Sequence, residues 1–281
     1  MLRKGDLTQG GITGTLLHFT LPMMVGSFLQ QCYNIADTLI VGQCIGAGAL
    51  AAVGSAYTLM VFLISVLLGL AMGSGTVFSL HYGAGNHVAL RRSIFSSFVL
   101  IGIVTLILNV AVFIWLGPIL RLLQVPQDIY GMMRSYLWII FCGIVFTFIY
   151  NFYASLLRAV GDSVTPLWFL AVSVVLNIAL DLFFILQLDW GIQGAASATV
   201  LAQGVAALGI IIYTYRRRPE LRWHHEDMCF DRTCLKEIAS FSTLTCIQQS
   251  VMNLGILMVQ GPVSYTHLRD HETLSDIVCR L

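Results

Sequence analysis

Apolar residues fall into seven long runs separated by short polar breaks, at about 15–41, 49–80, 93–116, 132–156, 164–187, 191–214 and 238–260. Each run reaches the roughly 20 residues that an α-helix needs to cross a hydrocarbon core about 30 Å thick. Stretches such as Val99-Leu100-Ile101-Gly102-Ile103-Val104 do not alternate apolar with polar, as the strands of a membrane barrel would. The pattern therefore predicts an all-α polytopic membrane protein. Arg3 and Lys4 precede the first run as they would a signal peptide. That run nevertheless contains Pro22, Gln30, Gln31, Asn34 and Asp37 and has no clear cleavage site, so it reads as a membrane helix.

Composition strengthens this reading. Of 281 residues, 57% are hydrophobic and 10% charged, with a mean hydropathy of +0.83; soluble domains carry about 25% charged residues. A soluble enzyme, a nucleic-acid binder and a disordered chain are excluded, and membrane lipids are the expected surroundings. The seven Cys imply no disulfide framework, since Cys32, Cys44, Cys142 and Cys246 lie inside apolar runs, where a thiol usually packs as a small hydrophobe.

The net charge is only +1, but its distribution is uneven. With a cytoplasmic N-terminus, the inside segments hold Arg3, Lys4, Arg91, Arg92, Arg158, Arg216, Arg217, Arg218, Arg222, Arg232 and Lys236. The outside segments hold Arg121 and Arg134. Eleven against two predicts that orientation, because cytoplasmic loops retain Lys and Arg. The expected organisation is a six-helix lobe over 1–215, a basic cytoplasmic linker over 216–237, a seventh helix over 238–261, and a polar tail over 262–281 that resembles translated adaptor sequence.

Asp37 and Asp181 stand out among the few charges inside the runs. A carboxylate at the bilayer centre costs at least about 2.5 to 3.5 kcal/mol, which makes each a functional candidate. Asn177 lies four residues before Asp181 and so on the same helix face, and Thr199 adds a hydroxyl one helix later. Such oxygens suit Na⁺, and equally a shared proton, because burial disfavours the charged carboxylate. Pro22 marks either a bend or the start of its helix. Small-residue runs at 69–75 and 191–199 permit close helix packing. Tyr33, Tyr57, Tyr150, Phe152 and Tyr153 could line a cavity for aromatic cations or simply pack. His224, His225, Cys229 and Cys234 have zinc-type donors in no standard spacing. No nucleotide-binding loop, HExxH or nucleophile elbow occurs, so neither an enzyme nor an ATP-driven pump is expected.

Three segments together carry a family likeness: Pro22 with Gln30-Gln31-Cys32-Tyr33-Asn34-Ile35-Ala36-Asp37 through Gly42; Leu157-Arg158-Ala159-Val160-Gly161-Asp162-Ser163 with Thr165-Pro166; and Asn177-Ile178-Ala179-Leu180-Asp181 followed by Gly191-Ile192-Gln193-Gly194. In order and spacing they resemble multidrug and toxic compound extrusion (MATE) transporters over about residues 10–261. The resemblance implies a bacterial inner (plasma) membrane protein of twelve helices in two lobes. Such a protein exports organic cations or other toxic compounds against inward flow of Na⁺ or H⁺ and needs no cofactor. It places Asp37, Asn177, Asp181 and Thr199 at the cation site of the first lobe and Pro22 at a bending proline. The chain then reads as a fragment ending after the seventh helix, where Phe241-Ser242 and Gln248-Gln249 echo Phe19-Thr20 and Gln30-Gln31. The rival reading, a flippase for lipid-linked sugars, would need several intramembrane Arg or Lys for the phosphates, and none cluster there.

Overall fold

The computed structural model describes residues 12–122, 125–222 and 234–252. Among these the chain is all-α: α1 (Ile12–Cys44), α2 (Ala47–Gly83), α3 (His87–Leu122), α4 (Gln127–Cys142), α5 (Ile144–Ala159), α6 (Val164–Leu182), α7 (Gly191–Arg217) and a further helix, α8, over 234–252. A π-turn, Phe183–Gln187, extends α6, and a 3₁₀ turn, Pro219–Leu221, follows α7. α2, α3, α7 and α6 with its π-turn are long and apolar enough to cross a membrane, and the α4–α5 pair makes a fifth such span if counted as one. At 33 residues α1 is also long, but it carries Gln30, Gln31, Asn34 and Asp37 within its outer half.

The seven expected runs reappear, with two corrections. The run at 132–156 is not one helix. It breaks at Gly143, and α4 and α5 meet there at 46°. No proline causes the break. A Cβ at Gly143 would run into the Val200 side chain of α7, and Asn109 Nδ2 of α3 donates to the Phe141 carbonyl at 2.9 Å, next to the break. Neighbouring helices thus supply what the interrupted ladder loses, the condition under which broken helices persist in membranes. The seventh helix already includes residues 234–237, and α7 runs to Arg217, so both helices reach into the expected linker. Residues 253–261 of that helix, the tail, and His224, His225 and Cys229 lie outside the described residues.

The core is aromatic where α2, α3 and α5 meet. Phe152 of α5 lies edge-on to Phe78 of α2 at 5.9 Å and to Phe98 of α3 at 5.3 Å, and Phe148 packs beside Phe98 at 5.3 Å. The outward face is as apolar as the core: Leu16, Phe28, Ile107, Ile114, Trp168 and Val175 are all exposed. That is the surface lipid tails require. Cys32, Cys44 and Cys142 also lie on this outer surface, a correction to the expectation that they pack inside. Cys234 is buried and Cys246 half-buried.

α8 lies along α2 in close backbone contact. A Cβ at Gly69 would stand 2.5 Å from Cys246 Cα, and one at Gly73 would overlap Ser242. Ser242 Oγ donates to the Leu70 carbonyl at 3.3 Å and Cys246 Sγ to the Val66 carbonyl at 3.3 Å. The small-residue stretch of α2 therefore serves helix contact, as its composition suggested. At the cytoplasmic end of the expected topology, Asp162 Oδ1 accepts from Thr165 N at 3.0 Å and Oδ2 from Thr165 Oγ1 at 2.8 Å. Arg218 Nη2, just past α7, reaches the same Oδ2 at 3.5 Å. This clasp fixes the start of α6 to the end of α7.

Candidate functional site

α1, α6 and α7 bring the four predicted polar residues together. Asn177 and Asp181 are fully buried, and Thr199 nearly so at 6% exposure. Thr199 Oγ1 accepts from Asn177 Nδ2 at 3.4 Å and from Tyr33 Oη of α1 at 3.4 Å. Tyr33 stands four residues before Asp37, so one face of α1 carries both towards this cluster. Asp37 and Asp181 lie within electrostatic reach of one another.

Two carboxylates buried near one another repel unless something positive lies between them. Neither Asp37 nor Asp181 forms an ion pair among the described residues. Asp37 Oδ1, both Asp181 oxygens and Asn177 Oδ1 receive no hydrogen bond there. Buried acceptors left in this state are costly, so a cluster of four is an unusual feature of a folded interior. The set is all oxygen, which matches a hard cation or a proton. No group of three His, Cys, Asp or Glu gathers among the described residues, so the donors do not resemble a transition-metal centre.

Local structure explains the convergence. The π-turn begins two residues after Asp181 and swings the chain so that Phe184 stacks on Trp190 at 5.1 Å. π-turns of this kind are often found beside functional residues. Asp189, with φ of 54°, and Gly191, also at 54°, then reverse the chain into α7. The short reversal sets Asn177 opposite Thr199.

Pro22 lies well inside α1 rather than at its start. It therefore leaves a carbonyl one turn earlier without its helical partner. It stands fifteen residues before Asp37 on the same helix.

Sequence reasoning missed Tyr136 of α4. It is 4% exposed and lies within electrostatic reach of Asp37, Asp181 and Tyr33. Nothing in its neighbourhood along the chain signals this. Tyr33 was legible only as an aromatic, although its four-residue spacing from Asp37 was the available clue. The other aromatics are elsewhere: Phe152 and Tyr153 belong to the core, Tyr150 Oη donates to the Pro166 carbonyl at 3.0 Å, and Tyr57 is exposed. Cys234 packs with Ser93 Oγ at 2.8 Å.

The fold and the sequence both match known proteins. The family model MatE matches residues 22–183. The probable multidrug resistance protein YpnP of Bacillus subtilis is 37% identical over 217 residues, covering 77% of this chain and 49% of that protein. The multidrug export protein MepA of Staphylococcus saprophyticus is 31% identical over 210 residues, covering 72% of this chain and 45% of that protein. A solved multidrug resistance MATE family transporter of the MOP superfamily, in its outward-facing conformation, superposes with a TM-score of 0.84 at 24% identity. The match covers 92% of this chain and 57% of that one. The chain spans about half the length of the curated relatives it matches. None of these relatives supports the flippase reading. With its helices superposing on those of a MATE family transporter and more than half its length matched by the family model, this chain is a membrane protein of the MatE family.

Proposed function

We propose that the chain forms the first lobe of a secondary antiporter that exports drug-like compounds, organic cations among them, driven by inward Na⁺ or H⁺. The observation that carries the reading is the Asp37–Asp181 pair, two carboxyl groups within electrostatic reach of one another and with no positive partner among the described residues. One monovalent cation or one proton between them relieves the repulsion. Asn177 Oδ1 and Thr199 Oγ1 stand ready to complete an oxygen shell. Binding there favours whichever conformation holds the two carboxylates together, and only such differential binding lets an ion gradient drive a change of conformation. The activity is transport and not catalysis, and no organic cofactor enters it. The names of the relatives, multidrug resistance and multidrug export proteins, support the substrate class. The excess of Lys and Arg on one side supports a plasma-membrane protein with its N-terminus in the cytoplasm.

The test is equilibrium binding of radiolabelled Na⁺, and proton release on Na⁺ addition, by the purified 281-residue chain in lipid nanodiscs. Saturable binding or proton exchange that disappears in Asp181→Asn is expected. Efflux of a fluorescent cation from vesicles, by a protein in which this chain is joined to a second lobe, should follow an imposed Na⁺ or pH gradient. Ion binding and efflux that are unchanged in both Asp37→Asn and Asp181→Asn would remove the reading.

A further inference from the structure

A second set of polar side chains lies deeper in the same lobe. Thr147 Oγ1 of α5 donates to Gln203 Oε1 of α7, and Asn151 Nδ2, one turn further along α5, donates to the Thr147 carbonyl at 2.8 Å. Gln203 follows Thr199 by four residues and so occupies the same face of α7, about 6 Å further along the axis at 1.5 Å per residue. Both helices run from the Asp37–Asp181 level towards the end that bears Arg158 and Arg216 to Arg218. The polar groups thus form a series: Asp37 and Asp181, then Asn177 and Thr199, then Gln203 and Thr147, then Asn151.

The backbone is irregular beside this series. The break at Gly143 sits against Val200, between Thr199 and Gln203 on α7, and Gly143 O is shared by Phe146 N at 2.9 Å and Thr147 N at 3.5 Å. The π-turn follows Asp181 at the other end. Non-helical backbone at membrane depth is tolerated where it is buried in protein or lines a polar cavity. Here it adjoins the polar side chains at both levels.

From this arrangement we propose that Thr147, Gln203 and Asn151 form a polar path by which the coupling ion passes between the Asp37–Asp181 pocket and the Arg-rich, cytoplasmic side of the lobe. The proposal rests on the reading of Asp37 and Asp181 as the ion site. The oxygens of Thr147 and Gln203 and the Asn151 amide provide successive partners for a hydrated cation or a proton-carrying water, beside apolar contacts such as Phe146 against Gly204 and Val200 against Gly143. The competing role is helix glue, in which the Thr147–Gln203 hydrogen bond only joins α5 to α7. Glue must be dry and inert, whereas a path must admit water.

Reactivity separates the two. On a background in which the seven native Cys are Ser, single Cys at positions 203, 147 and 151 are introduced as Gln203→Cys, Thr147→Cys and Asn151→Cys. They are exposed to a small membrane-impermeant methanethiosulfonate in inverted and right-side-out vesicles. Val205→Cys, on the outer surface at 47% exposure, is the lipid-facing control. The path predicts reaction in inverted vesicles at least tenfold faster than at Val205→Cys for at least two of the three positions, each checked for monodispersity. Rates equal to the control at all correctly folded positions overturn the proposal. The ion reading is scored separately: slowing of the reaction by Na⁺ or by a pH change, lost in Asp181→Asn, upholds it. Fast reaction that ignores both in every background leaves the path and removes the ion.

Discussion

Asn177 of α6 donates to Thr199 of α7 at 3.4 Å, and the two are joined through a π-turn and a tight reversal only a few residues long. The bond is long for an N–H···O contact. It leaves Asn177 Oδ1, like both Asp181 oxygens, buried without a hydrogen-bond partner among the described residues. The amide therefore bridges two duties: its nitrogen ties α6 to α7, and its oxygen belongs to the candidate ion shell.

A graded response to substitution follows. Asp181→Asn and Asp37→Asn keep shape and remove charge, and each should weaken ion binding by tenfold or more, a change of about 1.4 kcal/mol per tenfold. Asn177→Ala loses one neutral ligand and should weaken it by less. Thr199→Val, which also loses the Tyr33 contact, should be mildest. Titration of labelled Na⁺ or of released protons on the four variants gives the order, and an Asp variant milder than Thr199→Val would contradict it.

The all-α character, the number of apolar runs and the polar residues of the pocket were legible because each is written locally, in hydropathy and in four-residue spacing. The break at Gly143 was not. Its causes, the Val200 side chain and the Asn109 amide, lie on other helices, and a lone Gly inside an apolar run has no distinctive local signal. Tyr136 was hidden for the same reason: its closeness to Asp37 and Asp181 exists only once α4 packs beside α1 and α6. Cys32, Cys44 and Cys142 were misplaced because lipid and protein interior look alike to a hydropathy pattern.

The α2–α8 seam predicts a sharp contrast between two glycines. Gly69→Ala places a Cβ against Cys246 backbone atoms, whereas at Gly54 a Cβ meets nothing within 4 Å. The first should destabilise by about 1 to 3 kcal/mol, the usual range for overpacking. The second should be neutral or slightly stabilising, since Ala exceeds Gly in helix propensity by up to about 1 kcal/mol. Thermal unfolding in detergent, together with the alkylation rate of Cys246, distinguishes them. Equal melting of the two variants would mean that α8 does not hold this register.

The clasp at the far end of α6 supports a second stability prediction. Asp162→Ala removes the acceptor of Thr165 N, of Thr165 Oγ1 and of Arg218. Losing a helix-start acceptor and its hydrogen bonds costs about 1 to 2 kcal/mol. Arg218→Met loses the 3.5 Å ion pair to Asp162 and the 3.4 Å pair to Glu220, both between partly exposed partners, and should cost less than about 1 kcal/mol. Denaturation midpoints of the two variants, measured side by side, check the order.

Orientation can be tested without any assumption about transport. Pro126 precedes α4 and is exposed, at the end of the lobe that carries Arg121 and Arg134. Glu220 lies in the turn after α7, beside Arg218. The eleven-to-two excess of Lys and Arg on the Glu220 side predicts that this side faces the cytoplasm. Both positions fall outside the long apolar helices, so a thiol at either remains in water and its reactivity reports the side of the membrane rather than burial. In intact cells, on a background in which the seven native Cys are Ser, an impermeant maleimide should label Pro126→Cys. Glu220→Cys should react only after the cells are permeabilised. Because α4–α5, α6 and α7 together form three crossings between the two positions, they must lie on opposite sides. Labelling of Glu220→Cys in intact cells would invert the whole topology, and labelling of both would break the α4–α5 pair's assignment as a single crossing.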